Sequence, residues 1–325
     1  MKRILVTGGA GYIGSVLTRL LLTEGYAVRV LDDLRFGGDS LVELLNNPVF
    51  EFMRGDVRDP SILTAALANV DAVVHLAAIV GDPACSKQPE EAKSINLEAT
   101  KQCFQLAASQ ESISNFIFAS TCSNYGKMDN PNDLVDENSR LSPVSLYAET
   151  KVGVEEYLLS QDIGSDCATT VLRFSTVYGL SPRLRFDLTV NEFTKELALG
   201  RELEIFGEQF WRPYCHVIDL SRSVLHVLAA DRMKIASNVF NVGSTEENYT
   251  KRMLADRICA LVPDAKVKYV QKNEDPRDYR VSFDKISSVL GFQTTKSVQD
   301  GIEQILLAVS QGLISDPDSA AYRNI

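Results

Sequence analysis

The chain of 325 residues is 45% hydrophobic and 23% charged, an ordinary globular composition, and no run approaches the ~18 apolar residues that a membrane span requires. Its 33 Lys and Arg against 43 Asp and Glu give a net charge of −10 with no long basic block, which argues against nucleic acid as a partner. Six scattered cysteines without a C-x-x-C, and three histidines of which His75 and His226 sit in apolar runs, argue against a metal site and leave a Ser-His-Asp hydrolase little to draw on.

The first residues have a basic tip, but the apolar run Ile4-Leu5-Val6 ends after three residues, short of the roughly 7–15 of a signal sequence, so a cytoplasmic protein is expected. From there short β-rich apolar runs alternate with longer helical patterns. Strands are predicted near 3–7, 27–32, 49–54, 71–77, 115–121 and 168–174, with helices near 12–24, 60–68, 90–108 and 147–160. That rhythm predicts βαβ crossovers and the α/β fold of a Rossmann-type doubly wound parallel sheet, with helices on both faces. Runs apolar on consecutive residues, such as Ile4-Leu5-Val6, suit strands buried on both sides.

The first strand runs into Gly8-Gly9-Ala10-Gly11-Tyr12-Ile13-Gly14, which opens a helix whose apolar face includes Ile13, Leu17, Leu20 and Leu21. Glycines at a strand-to-helix turn permit close backbone approach, so a pyrophosphate can rest on the free N–H groups of the helix end. Asp32 ends the next strand, where a carboxylate accepts both hydroxyls of an adenosine ribose and repels a 2′-phosphate, favouring NAD over NADP; Arg35 nearby is the one residue that would reverse this. Gly55-Asp56-Val57 is placed to meet the adenine edge.

The fifth strand ends in Ala119-Ser120-Thr121-Cys122-Ser123-Asn124-Tyr125-Gly126, small polar residues with no acid among the first four. A helix follows with Tyr147 and Lys151 one turn apart on one face. A phenol used as a base at neutral pH must fall from about 10 to near 7, about 4 kcal/mol, and a neighbouring ammonium and a positive nicotinamide ring both favour phenolate. Beyond Gly179 the pattern changes: a helix is predicted near 188–199 and a strand near 203–207, with helix-plus-strand material near 214–230 and 238–243. The expected domains are a dinucleotide-binding part over 1–179, to which 214–243 returns, and a smaller C-terminal α/β substrate lobe over 180–213 and 244–325. The charges Arg183, Glu192 and Lys195 in that lobe are expected to be solvated.

Together these residues resemble the extended short-chain dehydrogenase/reductases, in their nucleotide-sugar epimerase/dehydratase branch. The likeness spans nearly the whole chain and also rests on His75-Leu76-Ala77-Ala78, Asn96, Leu172-Arg173, Arg212-Pro213-Tyr214-Cys215-His216-Val217-Ile218-Asp219 and Asp275-Pro276-Arg277. It implies NAD as cofactor, held by Gly8, Gly11, Tyr12, Ile13, Gly14, Asp32, Asp56, Val57, Leu76, Ala77, Ala78, Asn96, Tyr147 and Lys151. It implies Tyr147 as the base that takes a sugar hydroxyl proton, Lys151 as the holder of the nicotinamide ribose and Thr121 as a partner of the same hydroxyl.

For the substrate, a nucleoside-diphosphate sugar, the resemblance implies Arg212 and Arg277 as diphosphate clamps and Asn191 as an amide contact to that group, with Thr121, Cys122 and Ser123 beside the sugar. It further implies a homodimer paired through helices matching 90–108 and 147–160. Two positions depart from the family's pattern: Thr176 stands where many members have Asn, and Pro213 where Asp is usual. Members that eliminate water carry acids where this chain has Cys122 and Ser123, since a poor leaving group needs a carboxyl donor. The expected chemistry therefore stops at reversible oxidation at C4, giving an epimerase first; a net C4 dehydrogenase or ketoreductase, and a silent NAD-binding regulator, are the alternatives.

Overall fold

The computed structural model describes residues 1–128, 130, 133–161, 167–271 and 277–324. Twelve strands and twelve helices are named here in chain order. The first half contains β1 (Arg3–Thr7), α1 (Tyr12–Thr23), β2 (Ala27–Asp32), β3 (Phe50–Arg54), α2 (Pro60–Leu67), β4 (Ala72–His75), α3 (Asp82–Lys87), α4 (Pro89–Lys93), α5 (Thr100–Ala108), β5 (Asn115–Thr121), α6 (Leu146–Gln161) and β6 (Ala168–Phe174). The second contains β7 (Thr176–Tyr178), α7 (Thr189–Ala198), β8 (Glu202–Phe206), β9 (Trp211–His216), α8 (Val217–Ala229), α9 (Arg232–Ile235), β10 (Asn238–Val242), β11 (Asn248–Thr250), α10 (Lys251–Leu261), β12 (Lys266–Val270), α11 (Asp284–Leu290) and α12 (Val298–Ser310).

Seven strands form one parallel sheet in the order β10-β6-β5-β4-β1-β2-β3. Thr7 pairs with Leu31 on one side and His75 on the other, so the order reverses at β1 and a crevice opens beyond its carboxyl end. Period-two side-chain placement explains why these strands are apolar on both faces. Ile4, Val6, Val28, Val30 and Val74 pack with Leu17, Leu21, Leu220 and Val224, while Leu5, Leu31, Val73 and Phe116 pack with Leu63, Phe104 and Val154 on the other face. Each fully buried Val or Leu contributes about 1.5–3 kcal/mol.

A second layer of structure overhangs the crevice. β7, β9 and β11 form a three-stranded sheet, and β8 pairs with β12 in parallel. Around them Val190, Phe193, Leu203, Ile205, Leu254, Ile258 and Ile302 form a separate apolar core. The polypeptide after β9 goes back to the large sheet, where α8 packs on α1 and β10 pairs with β6. The helix predicted over 90–108 is interrupted: a π-helical turn at Ser94–Ala99 separates α4 from α5. Among the described residues no helix is long and apolar enough to cross a membrane.

Candidate active site

The crevice is a cleft of about 1010 Å³, at the upper end of what one drug-sized ligand needs and roomy enough for two. Its floor is the glycine turn between β1 and α1. Gly8 has φ +74°, and a Cβ there would lie 2.8 Å from the backbone N of Ala77. A Cβ on Gly14 would lie 2.2 Å from the carbonyl oxygen of Gly8, so α1 can approach the turn only without a side chain. A Cβ on Gly11, in contrast, would meet only the Gly8 carbonyl, at 3.2 Å, and otherwise project into open space. That open face, beside the backbone of Tyr12, Ile13 and Gly14 where a helix start leaves N–H groups unpartnered, is a cradle for an anion.

Asp32 is fixed at the carboxyl end of β2, accepting from the N–H of Ala10 (2.9 Å) and of Leu34 (2.9 Å). Burial pushes its carboxyl up, partly offset by those two hydrogen bonds. Asp56 and Val57 line the same end, Asp56 forked by Arg58, and Leu76, Ala77 and Ala78 line the wall beyond β4. Arg35 donates to both oxygens of Glu91 (2.6 and 3.3 Å) and stands 3.7 Å from Asp33. With its charge so engaged it does not offset the repulsion that Asp32 presents to a 2′-phosphate. The donor set therefore fits NAD.

At the other end β5 delivers Thr121, whose Oγ1 accepts from the N–H of Ser123 (3.1 Å) and caps the single 3₁₀ turn Cys122–Tyr125. Tyr147 and Lys151 face it from the first turns of α6. Lys151 is 3% exposed; its Nζ donates to the carbonyl of Ala119 (2.7 Å) and lies 4.6 Å from the Phe118 ring centre and 5.9 Å from that of Tyr147. Burial pushes the Tyr147 phenol above its ordinary value and the Lys151 ammonium down to about 8. The site thus penalises a phenolate unless further positive charge enters, which an oxidised nicotinamide carries.

Ser123, Arg212 and Arg277 line the cleft with Thr121. Ser123 Oγ lies 3.3 Å from the Tyr279 hydroxyl, and the Arg212 guanidinium stacks 5.3 Å from the Tyr279 ring centre. Arg277 donates to Asp82 Oδ2 (2.7 Å), a cleft residue at the start of α3 that nothing in the sequence singled out. Asp275 and Pro276, which share its motif, lie outside the described residues.

Three candidates stand behind the wall rather than in it. Asn96, in the π-helical turn, is fully buried and clamps the backbone of Ile79, accepting its N–H (2.8 Å) and donating to its carbonyl (2.9 Å), so it shapes the loop after β4. Cys122 is 1% exposed, its thiol donating to the carbonyl of Arg173 and pushed up by burial. Asn191 is equally buried and fully engaged: it accepts from the N–H of Gly179 (2.9 Å) and donates to the carbonyl of Arg185 (2.8 Å). No atom of that amide is left for a diphosphate.

The expectation of solvated charges beyond Gly179 fails for two of the three. Lys195 is 1% exposed and ion-paired with Glu196 and Asp318, and Arg183 is 7% exposed in the cleft wall, whereas Glu192 is exposed as expected. The one sequence signal was the pair Arg183 and Arg185 flanking Leu184 in a loop, which periodicity alone does not interpret.

A dinucleotide cradle joined to a Thr, Tyr and Lys constellation defines an NAD-dependent enzyme of the short-chain dehydrogenase/reductase type. Residues 4–243 match the model of the NAD dependent epimerase/dehydratase family. A dTDP-glucose 4,6-dehydratase of Actinoplanes sp. is 30% identical over 93% of this chain and 96% of its own length. A UDP-glucose 4-epimerase of Halalkalibacterium halodurans is 27% identical over 89% of this chain and 90% of its own. Among solved structures, the UDP-glucuronic acid 4-epimerase of Bacillus cereus in complex with UDP-glucuronic acid and NAD superposes with a TM-score of 0.84, at 26% identity, over 95% of this chain and 99% of that one. The chain belongs to the NAD dependent epimerase/dehydratase family, and its cofactor is NAD.

Proposed function

We propose that this enzyme epimerises a nucleoside-diphosphate sugar at C4 and does not remove water from it. The observation that carries the reading is the acid-free turn after β5, Thr121-Cys122-Ser123, at the place where an eliminating enzyme needs a proton donor. Among the described residues, the carboxylates lining the cleft are Asp32, Asp33, Asp56, Asp82, Glu91 and Asp187. Asp82 is ion-paired with Arg277, and Asp187 with Arg185, whose guanidinium holds that carboxyl below its ordinary value. Asp187, held charged by Arg185, is a poor acid.

In this reading Tyr147 takes the C4 hydroxyl proton, and Thr121, whose oxygen already accepts from Ser123, retains its own O–H to orient that hydroxyl. Lys151, anchored by the Ala119 carbonyl, holds positive charge beside the phenol. NAD, when bound, supplies the acceptor for the C4 hydride. Arg212 and Arg277 receive the substrate's diphosphate, which requires Arg277 to exchange Asp82 for phosphate oxygens.

Tyr147→Phe removes the base while keeping the ring. We expect kcat to fall about 10²–10⁴-fold on the sugar that the wild type turns over, with NAD still bound. A panel of UDP-, dTDP-, GDP- and CDP-sugars finds that sugar, and ordinary activity of the variant would refute the assignment. Net accumulation of NADH by the wild type would make it a dehydrogenase instead.

A further inference from the structure

The loop between β7 and α7 carries a cation that the chemistry above does not use. Arg183 lines the cleft, and its guanidinium stacks on Phe36, 4.7 Å from the ring centre, in the loop that follows Asp32. Its backbone N–H donates to Ser181 Oγ (3.3 Å), and that hydroxyl donates to the carbonyl of Tyr12 (2.7 Å) in the first turn of α1. Ser15 Oγ lies 3.1 Å from the same hydroxyl. Arg183 is thereby fixed between the glycine turn and the Asp32 loop.

Its own charge is poorly compensated. Nη2 donates to the carbonyl of Arg323 (3.0 Å), Nε is buried without a hydrogen-bond partner, and among the described residues no carboxylate forms an ion pair with it. Burial and the neighbouring Arg185 push the group down to about 10, and Asp187, already ion-paired with Arg185, offsets only part of that. A buried guanidinium with no ion pair of its own is costly, and removing one partner of a buried ion pair destabilises strongly. An anion bound in the cleft would relieve that cost, and the glycine turn to which Ser181 ties the Arg183 backbone is an anion cradle.

We propose that Arg183 is a cofactor-binding residue, its guanidinium pairing with the diphosphate of NAD seated on the glycine turn while the carbonyl of Arg323 holds it in place. The carboxyl-terminal residues thus take part in closing the cofactor in, which suits an enzyme that keeps the reduced cofactor through a turnover. The inference does not depend on which sugar is used or on whether water is lost.

The test is calorimetric titration of the full chain, freed of nucleotide, with NAD, ADP-ribose and UDP. Arg183→Gln should weaken NAD and ADP-ribose alike, about tenfold to a hundredfold for a charge-assisted contact, and leave UDP unchanged. Arg183→Lys should keep part of that affinity, because it retains the charge but not the planar fork. Unchanged NAD affinity in a folded Arg183→Gln protein, or a loss confined to UDP, would overturn the proposal. If Arg183→Gln does not fold, Arg183→Lys decides: its NAD affinity should fall while its melting temperature without nucleotide stays, and unchanged affinity overturns the proposal equally.

Discussion

Burial moves the two groups at the reacting end in opposite senses, the Tyr147 phenol up and the Lys151 ammonium down to about 8, so neither is poised by the protein alone. A third buried group next to the cofactor floor follows the same physics. His75, at the end of β4, is fully buried between the hydroxyls of Thr7 and Thr100, each 3.0 Å from a ring nitrogen, and burial pushes it down to about 3. The native state therefore keeps it neutral at pH values where an unfolded chain, with a histidine near 6.5, binds a proton. As pH falls from about 6.5 towards 3, the unfolded state holds the extra proton and stability drops, by about tenfold in the folding constant per pH unit from this group alone. Urea unfolding of wild type and His75→Asn should show the stability difference between them shrinking as pH falls from 7 to 5; parallel curves would contradict the assignment. The residue types at Tyr147, Lys151 and Asp32 were legible because each needs a defined offset from a strand or turn. The behaviour of His75 was legible only as packing, and the ion pair of Asp82 with Arg277 was not legible, because it joins residues 195 apart in sequence.

The elements that position these groups divide by how local their causes are. Strands β1, β2 and β5 were readable from consecutive apolar residues, because both of their faces are buried. The π-helical turn at Ser94–Ala99 was not, since the sequence there keeps a continuous helical pattern and only the clamp of Asn96 on Ile79 reveals the break. Helix α7 teaches the same lesson in reverse: Asn191 has the residue type of a ligand contact, but its place in the first turn ties the Gly179 loop to α1. The Tyr12 hydroxyl donates to the Gly179 carbonyl, and the Asn191 amide lies 3.1 Å from that hydroxyl. Asn191→Ala should strand the Gly179 N–H and cost about 1–3 kcal/mol, seen as a melting temperature lower by a few degrees. The affinity of the folded variant for UDP should hardly change. A selective loss of UDP affinity at unchanged melting temperature would restore the amide as a substrate contact.

The whole molecule carries a net charge of −10, yet among the described residues the cleft is lined by nine Lys and Arg, Arg183, Arg185, Arg212 and Arg277 among them, against six carboxylates. A negative exterior around a cationic cleft focuses the field on that cleft and favours anionic ligands there. Two diphosphates, one from NAD and one from the sugar nucleotide, are what such a cleft is built to hold. Relatives named for epimerisation and for dehydration share this architecture, so fold and charge do not separate the two outcomes, and the proposal of epimerisation rests on the turn at Thr121-Cys122-Ser123. The deciding measurement is the mass and proton NMR spectrum of the sugar nucleotide recovered after turnover in deuterated and in ordinary water. An unchanged mass in both, with a new signal for an inverted C4, is the predicted result. A product lighter by one water, with solvent deuterium on ring carbon C5 when the turnover is run in deuterated water, would show that elimination takes place without an acid at that turn and would contradict the account.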